Sequence, residues 1–247
     1  MESKLQPELA IEIIYQDDAL LAVNKPAGLP VIPDGFDPDK PNLHHVLSQT
    51  YGRLWVVHRL DKDTSGVILF ARSAEIHRQL NVQFEHRALS KTYHLLTWGP
   101  VPWESLTVNY PLRINGDRNH RTIIDVHNSK PAQTDFNLLE RFSGKISLLS
   151  ASPFSGYTHQ IRAHCAATGL WLVNDPLYLP HPIPPSADFQ PPHRSDLLPQ
   201  VEYLPISRTA LHAQQISFHH PDTNLPLTLQ ASYSRDFTET LKLLRFH

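Results

Sequence analysis

The chain has a single cysteine, Cys165, and only nine glycines among its 247 residues. One thiol excludes an internal disulfide and any metal site built on several cysteines, so the fold rests on packing, and a reducing, cytoplasmic setting is expected. No apolar run approaches the roughly 18 residues of a membrane span. Acidic residues stand near the start, where a signal peptide would be cationic and then apolar, so neither membrane insertion nor export is expected. An excess of one charge is also missing: 22 Lys and Arg face 24 Asp and Glu, which argues against a protein whose whole surface is basic. There is no Gly-x-Ser-x-Gly elbow, no phosphate loop ending in Gly-Lys-Ser/Thr, no Gly-x-Gly-x-x-Gly and no His-Glu-x-x-His. The 16 histidines invite a metal reading, but His44-His45 and His219-His220 are adjacent pairs. His159 and His164 lie five apart, off a common helical face, so no metal is expected.

What is present is a 40% share of hydrophobic residues, enough for a substantial core. Charge is unevenly spread, since residues 51–162 hold 14 basic and 9 acidic side chains, a net of +5. A local positive surface permits a polyanionic partner without requiring one. Short or alternating apolar runs predict strands, among them Ile11–Tyr15, Ala19–Val23, Val67–Ala71, Tyr93–Leu96, Thr122–Val126, Phe136–Leu139, Ile146–Leu149, Ile216–Phe218 and Leu225–Leu229. Helical spacing follows Ser73 at Ile76, Leu80 and Phe84, and follows Ser234 at Phe237, Leu241 and Leu244. A third helix is predicted from near Thr158 to its stop at Gly169. Strands and helices do not alternate regularly, so the expected class is α+β, a mixed, mainly antiparallel central sheet with flanking helices and an active-site cleft. A tail over 1–10 and a single catalytic domain over 11–247 are expected, with a proline-rich surface excursion at 180–205.

The densest cluster of polar groups is His58-Arg59-Leu60-Asp61-Lys62-Asp63-Thr64-Ser65-Gly66, set between apolar stretches. A plain connection would need only Asn-Gly or Asp-Gly. Gly28, Gly66 and Gly156 fall in three unusual polar segments, and together they suggest one composite site. Taken alone, the Asn24–Gly28 segment reads as a solvent-exposed loop. Asp61 with Arg162 would make a charge-assisted pair, suited to a nucleophile or a base and equally to a structural salt bridge. His58-Arg59-x-Asp61 also echoes a kinase catalytic loop, but the remaining kinase motifs are missing. A glycosidase would need a second paired carboxylate, and no convincing place for one is found.

His58-Arg59-Leu60-Asp61-x-x-Thr64-Ser65-Gly66 resembles the signature of the RluA family of RNA pseudouridine synthases. So do Asn24–Gly28, Lys91-Thr92-Tyr93, Thr158-His159-Gln160-Ile161-Arg162-x-His164, Leu211-His212-Ala213 and Phe218–Pro221, in the family's order over roughly residues 11–230. The resemblance implies a pseudouridine synthase fold and an isomerase that acts on a flipped-out uridine in rRNA or tRNA. It implies Asp61 as the catalytic aspartate, with its attack on the base, attack on the sugar or removal of a sugar proton all open. Arg162 would be the aspartate's basic partner, Tyr93 the residue packed on the base, and Arg59 the side chain that fills the gap left by the nucleotide. Ile161 would form an apolar wall, with His58, Thr64, His159 and Gln160 also at the substrate site. No cofactor is implied, because the reaction changes neither oxidation state nor composition. A monomer without an S4-type RNA-binding module is expected. The pattern departs from the family at Tyr157, where arginine is usual, and at Asn174, where glycine opens Gly-Asp-x-x-Tyr. Those departures motivate the alternative of a catalytically silent RNA-binding protein that retains the fold.

Overall fold

The computed structural model describes residues 11–33, 40–127, 129–142, 146–178 and 204–246. In chain order the strands are β1 (Glu12–Gln16), β2 (Leu20–Lys25), β3 (Trp55–Val56), β4 (Ser65–Ala71), β5 (Ser90–Trp98), β6 (Ser105–Val108), β7 (Leu112–Arg113), β8 (Ile123–Ile124), β9 (Thr134–Phe142), β10 (Ile146–Pro153), β11 (Trp171–Leu172), β12 (Leu211–His219) and β13 (Pro226–Gln230). The helices are α1 (Leu43–Tyr51), α2 (Ala74–Glu85), α3 (Gln160–Ala167) and α4 (Arg235–Phe246).

Strand β4 reads Ser-Gly-Val-Ile-Leu-Phe-Ala and is buried at every position. A continuous apolar run of this kind suits a strand covered on both faces. The main sheet runs β1-β2-β4-β12-β5-β10-β9-β6, with β3, β11 and β13 pairing on β4, β5 and β12. Every pair in it is antiparallel except β4 with β12, where His212 faces Ser65 and Ala213 faces Gly66. The sheet is therefore mixed and mainly antiparallel, as its irregular element pattern predicts. The parallel step is tight: Gly66 sits at φ +116, and a Cβ there would collide with the Ala213 backbone. Only glycine meets both demands.

Helices α1 and α2 start where their side-chain caps dictate. The Ser73 hydroxyl accepts from the Ile76 amide at 3.2 Å, and α2 buries Ile76 and Leu80. Helix α4 buries Phe237 and Leu241 beside Leu96, Leu148 and Val173. Helix α3 ends before Gly169, at φ +76. Helix α1 is absent from the periodicity reading because its short Leu43/Leu47 stripe is interrupted by polar residues; its cap is Asn42, which accepts from the His45 amide at 2.9 Å. The proline-rich stretch lies outside the described residues except for Leu204 and Pro205. Among the described residues no helix is long and apolar enough to cross a membrane.

Candidate active site

The turn that carries Asp61 closes when the Thr64 amide donates to the Asp61 carbonyl at 3.1 Å, immediately before β4. Helix α3 brings Arg162 to it from 101 positions further along the chain, with Nη1 donating to Asp61 Oδ2 at 3.4 Å. His159 Nε2 is 3.6 Å from the same oxygen. Asp61 Oδ1 has no hydrogen-bond partner among the described residues. One carboxylate oxygen is thus held and the other is available.

Arg162 does not depend on Asp61 for its position. Its Nε and Nη2 donate to Asp175 Oδ2 and Oδ1, each at 2.7 Å, and Asp175 is fully buried. This fork-to-fork geometry fixes the guanidinium plane. Burial disfavours the Arg162 charge, but the Asp175 hydrogen bonds and charge outweigh it and raise its pKa, so the cation persists. The guanidinium lies 5.1 Å from the Tyr178 ring centroid, and the Tyr178 hydroxyl donates to the Thr122 carbonyl at 2.9 Å.

Asp61, Tyr93, Ile161 and Arg162 all line one cavity of about 730 Å³, as do Arg59 and Thr64. That volume falls within the range of small-molecule sites. Tyr93, on β5, has its pKa raised by burial and then by the Asp61 charge, so the phenol is neutral. Its hydroxyl makes no hydrogen bond within the described residues. Ile161 is buried in the first turn of α3. Arg59 is exposed at the rim, with no ion pair or hydrogen bond to any described residue.

Three histidine and glutamine positions have distinct environments. His159 takes a left-handed conformation at φ +55, and burial lowers its pKa against the opposing effect of Asp61, so a neutral imidazole faces the carboxylate. His58 lines the wall, but its Nε2 accepts from the Leu69 amide at 3.1 Å and its ring stacks on Phe84. Burial and then Lys91 hold its pKa down at about 3. Gln160 Oε1 accepts from Ser155 Oγ at 2.8 Å and the Tyr157 amide at 3.2 Å. Its Nε2 donates to the Gln133 carbonyl at 2.8 Å and Thr134 Oγ1 at 3.1 Å. Both His58 and Gln160 therefore shape the wall with ring or amide atoms already engaged.

Several residues of the site escaped sequence reasoning. Asp175 lies in the Asn174–Tyr178 segment, whose departure from the family pattern is the missing glycine. Asn174 adopts φ +56, the left-handed region a glycine would favour and asparagine tolerates, and its Nδ2 donates to the Ile206 carbonyl at 2.6 Å. The Asn24–Gly28 segment is not a simple exposed loop. Lys25 is fully buried, and its Nζ donates to the carbonyls of Pro26 at 2.9 Å, Leu29 at 2.8 Å and Lys62 at 2.9 Å. The Gly28 amide also donates to Lys62 at 2.9 Å. Burial and then the Arg208 charge bring the Lys25 pKa down to about 7. Lys91, two residues before Tyr93, lines the cavity with a pKa lowered by burial to about 8. At the other departure, Lys130 Nζ stands 5.6 Å from the Tyr157 ring centroid.

Comparison with known proteins fits this arrangement. The family pattern described as RNA pseudouridylate synthase matches residues 19–167, which span β2 through α3. The dual-specificity RNA pseudouridine synthase RluA of Pasteurella multocida is 32% identical over 221 residues, covering 90% of this chain and 92% of the relative. The ribosomal large subunit pseudouridine synthase D of Pseudomonas aeruginosa is 32% identical over 248 residues, covering 98% of this chain and 74% of that protein. Among solved structures, human RNA pseudouridylate synthase domain containing 4 shares the fold, with a TM-score of 0.71 at 24% identity over 95% of this chain and 93% of that one. The chain belongs to the RluA family of RNA pseudouridine synthases, which are isomerases.

Proposed function

We propose that this chain converts specific uridines of structured RNA, rRNA or tRNA, to pseudouridine with Asp61 as the catalytic carboxylate. The observation that carries the reading is Asp61 itself, with one oxygen held by an Arg162 that Asp175 anchors and the other open to a cavity walled by Tyr93 and Ile161. In the reaction the N1–C1′ bond breaks, a C5–C1′ bond forms, the C5 proton leaves for solvent and N1 gains a proton. Nothing is oxidised or added. A stacked base is inaccessible to such a site, so the uridine must be extruded at a cost of a few kcal/mol. Tyr93 and Ile161 supply aromatic and aliphatic surface for the extruded base. Arg59, at the rim and without a hydrogen bond or ion pair among the described residues, supplies a side chain able to enter the vacated stack. His159, neutral beside Asp61, and Thr64 complete the near wall.

The complete Asp61, Arg162 and Tyr93 set gives no observation in favour of a silent RNA-binding protein. We further propose that the chain works in the cytoplasm, on the basis of its proposed RNA substrate and its single cysteine. The test is release of tritium from RNA labelled at uridine C5. Wild type should release it from an rRNA or tRNA pool, and Asp61→Ala should release none. Equal release by both would overturn the role of Asp61, and no release by either, across tRNA, rRNA and mRNA pools, would overturn the function.

A further inference from the structure

The catalytic cavity does not end at Lys91 and Pro153. The same two residues wall a second groove of about 530 Å³, bounded by Arg87 after α2, Phe154 after β10, and Phe218 and Leu227 of the β12–β13 hairpin. Phe154 is 56% exposed, one of two exposed phenylalanines among the described residues. The Arg87 guanidinium carbon lies 5.4 Å from its ring centroid. Both residues are held by their backbones: Arg87 N–H donates to Phe84 O at 3.2 Å, and Phe154 N–H donates to Gln133 O at 2.9 Å. The far wall is fastened to α2, because Gln83 donates to the His219 carbonyl at 2.7 Å and accepts from its amide at 3.0 Å. Asp135 is the one carboxylate among the lining residues, and its Oδ1 already accepts from Thr107 at 2.8 Å and Gln133 at 3.1 Å.

An exposed aromatic ring flanked by cations, continuous with a site for an extruded uridine, has the composition of a platform for single-stranded nucleic acid. We propose that this groove binds a nucleotide flanking the target uridine, its base stacked on Phe154 and its phosphate facing Arg87 and Lys91. The identity of the polymer rests on the reading of the neighbouring cavity as an RNA-modifying site. The groove itself stands on Phe154, Arg87 and its continuity with the cavity through Lys91 and Pro153. An RNA strand leaving the cavity across Lys91 would enter the groove directly.

The experiment uses the full chain and a fluorescein-labelled RNA hairpin with a loop of seven uridines, read by anisotropy. Phe154→Ala should raise the Kd about tenfold, the loss expected for one stacked base, and Phe154→Trp should restore it. Arg87→Gln should weaken binding and reduce its dependence on salt. In the tritium assay Phe154→Ala should raise KM and leave kcat unchanged. A Phe154→Ala protein that binds the hairpin as tightly as wild type, while wild type releases tritium, overturns the groove alone and favours a protein partner at this face. Absence of tritium release from wild type counts against the catalytic reading alone, because anisotropy still reports on Phe154.

Discussion

Arg162 gives Asp175 two nitrogens at 2.7 Å and Asp61 a single nitrogen at 3.4 Å. The buried carboxylate therefore sets the guanidinium, and the guanidinium in turn presents a charge to the carboxylate in the cavity. Were Asp61 the primary partner, any movement of its turn would carry the arginine with it. With Asp175 as anchor, the cation keeps its position independently of Asp61, whose carboxylate lines the cavity.

Asp175→Asn should accordingly harm chemistry more than binding. We expect kcat to fall at least tenfold with KM little changed, together with a loss of stability at or below the ~3–5 kcal/mol typical of breaking a buried ion pair. Tritium-release kinetics and urea unfolding, measured on the same preparations, check both parts. A variant with normal kcat would remove Asp175 from the positioning of Arg162.

Arg59→Ala should show the opposite profile. The side chain is exposed and unpaired within the described residues, so stability should stay within about 0.5 kcal/mol of wild type. Activity should fall more on a uridine stacked in a hairpin stem than on one in a flexible single strand, because only the former leaves a gap to fill. Comparing kcat/KM on the two RNAs checks this, and an equal loss on both would remove Arg59 from the flipping step.

Much of this was legible in the sequence because the signals are local. The buried run of β4, the Ser73 cap and the Gly169 stop each follow from a few adjacent residues. The Asp61–Arg162 pair spans 101 positions and was inferred from charge type and motif order. Asp175 and Lys25 lie in segments that match the family pattern, yet the sequence assigns neither a role, for a shared physical reason. Each is a charged residue that the fold buries completely, and composition alone assigns such residues to the surface. Only the three-dimensional arrangement supplies the guanidinium fork for one and the three carbonyls for the other. The roles of His58 and Gln160 were similarly hidden, since a motif reveals residue type and not whether its polar atoms are already engaged.

Gly66→Ala should be strongly destabilising. The substitution would force an L side chain to φ +116 and press its Cβ against the Ala213 backbone, where β4 meets β12 in the sheet's parallel step. Backbone strain and overpacking together should cost on the order of 2–3 kcal/mol. Thermal unfolding by circular dichroism checks it. Because Gly66 lies five residues after Asp61, any folded fraction should also show reduced kcat.

Lys25 offers a prediction in pH. Its pKa in the folded protein is lowered to about 7, chiefly by burial, whereas in the unfolded chain it lies near the ordinary lysine value of 10.5. Below pH 7 both states carry the proton and the penalty of burying the charge is present in full. Between pH 7 and 10.5 the unfolded state binds more protons, so the Lys25 contribution to stability rises with pH, by up to ~1.4 kcal/mol per unit. Lys91, with a pKa of about 8, acts in the same direction, so the Lys25 part must be isolated by difference. Lys25→Met removes the titration and also strips the Pro26, Leu29 and Lys62 carbonyls of their shared donor. Each unsatisfied buried acceptor costs about 1–3 kcal/mol, so the variant should be less stable at neutral pH. The deficit relative to wild type should then widen as pH rises from 7 to 9.5. Urea unfolding of both proteins at those two pH values measures the difference, and a deficit that stays constant or narrows would show that Lys25 does not titrate as its burial requires.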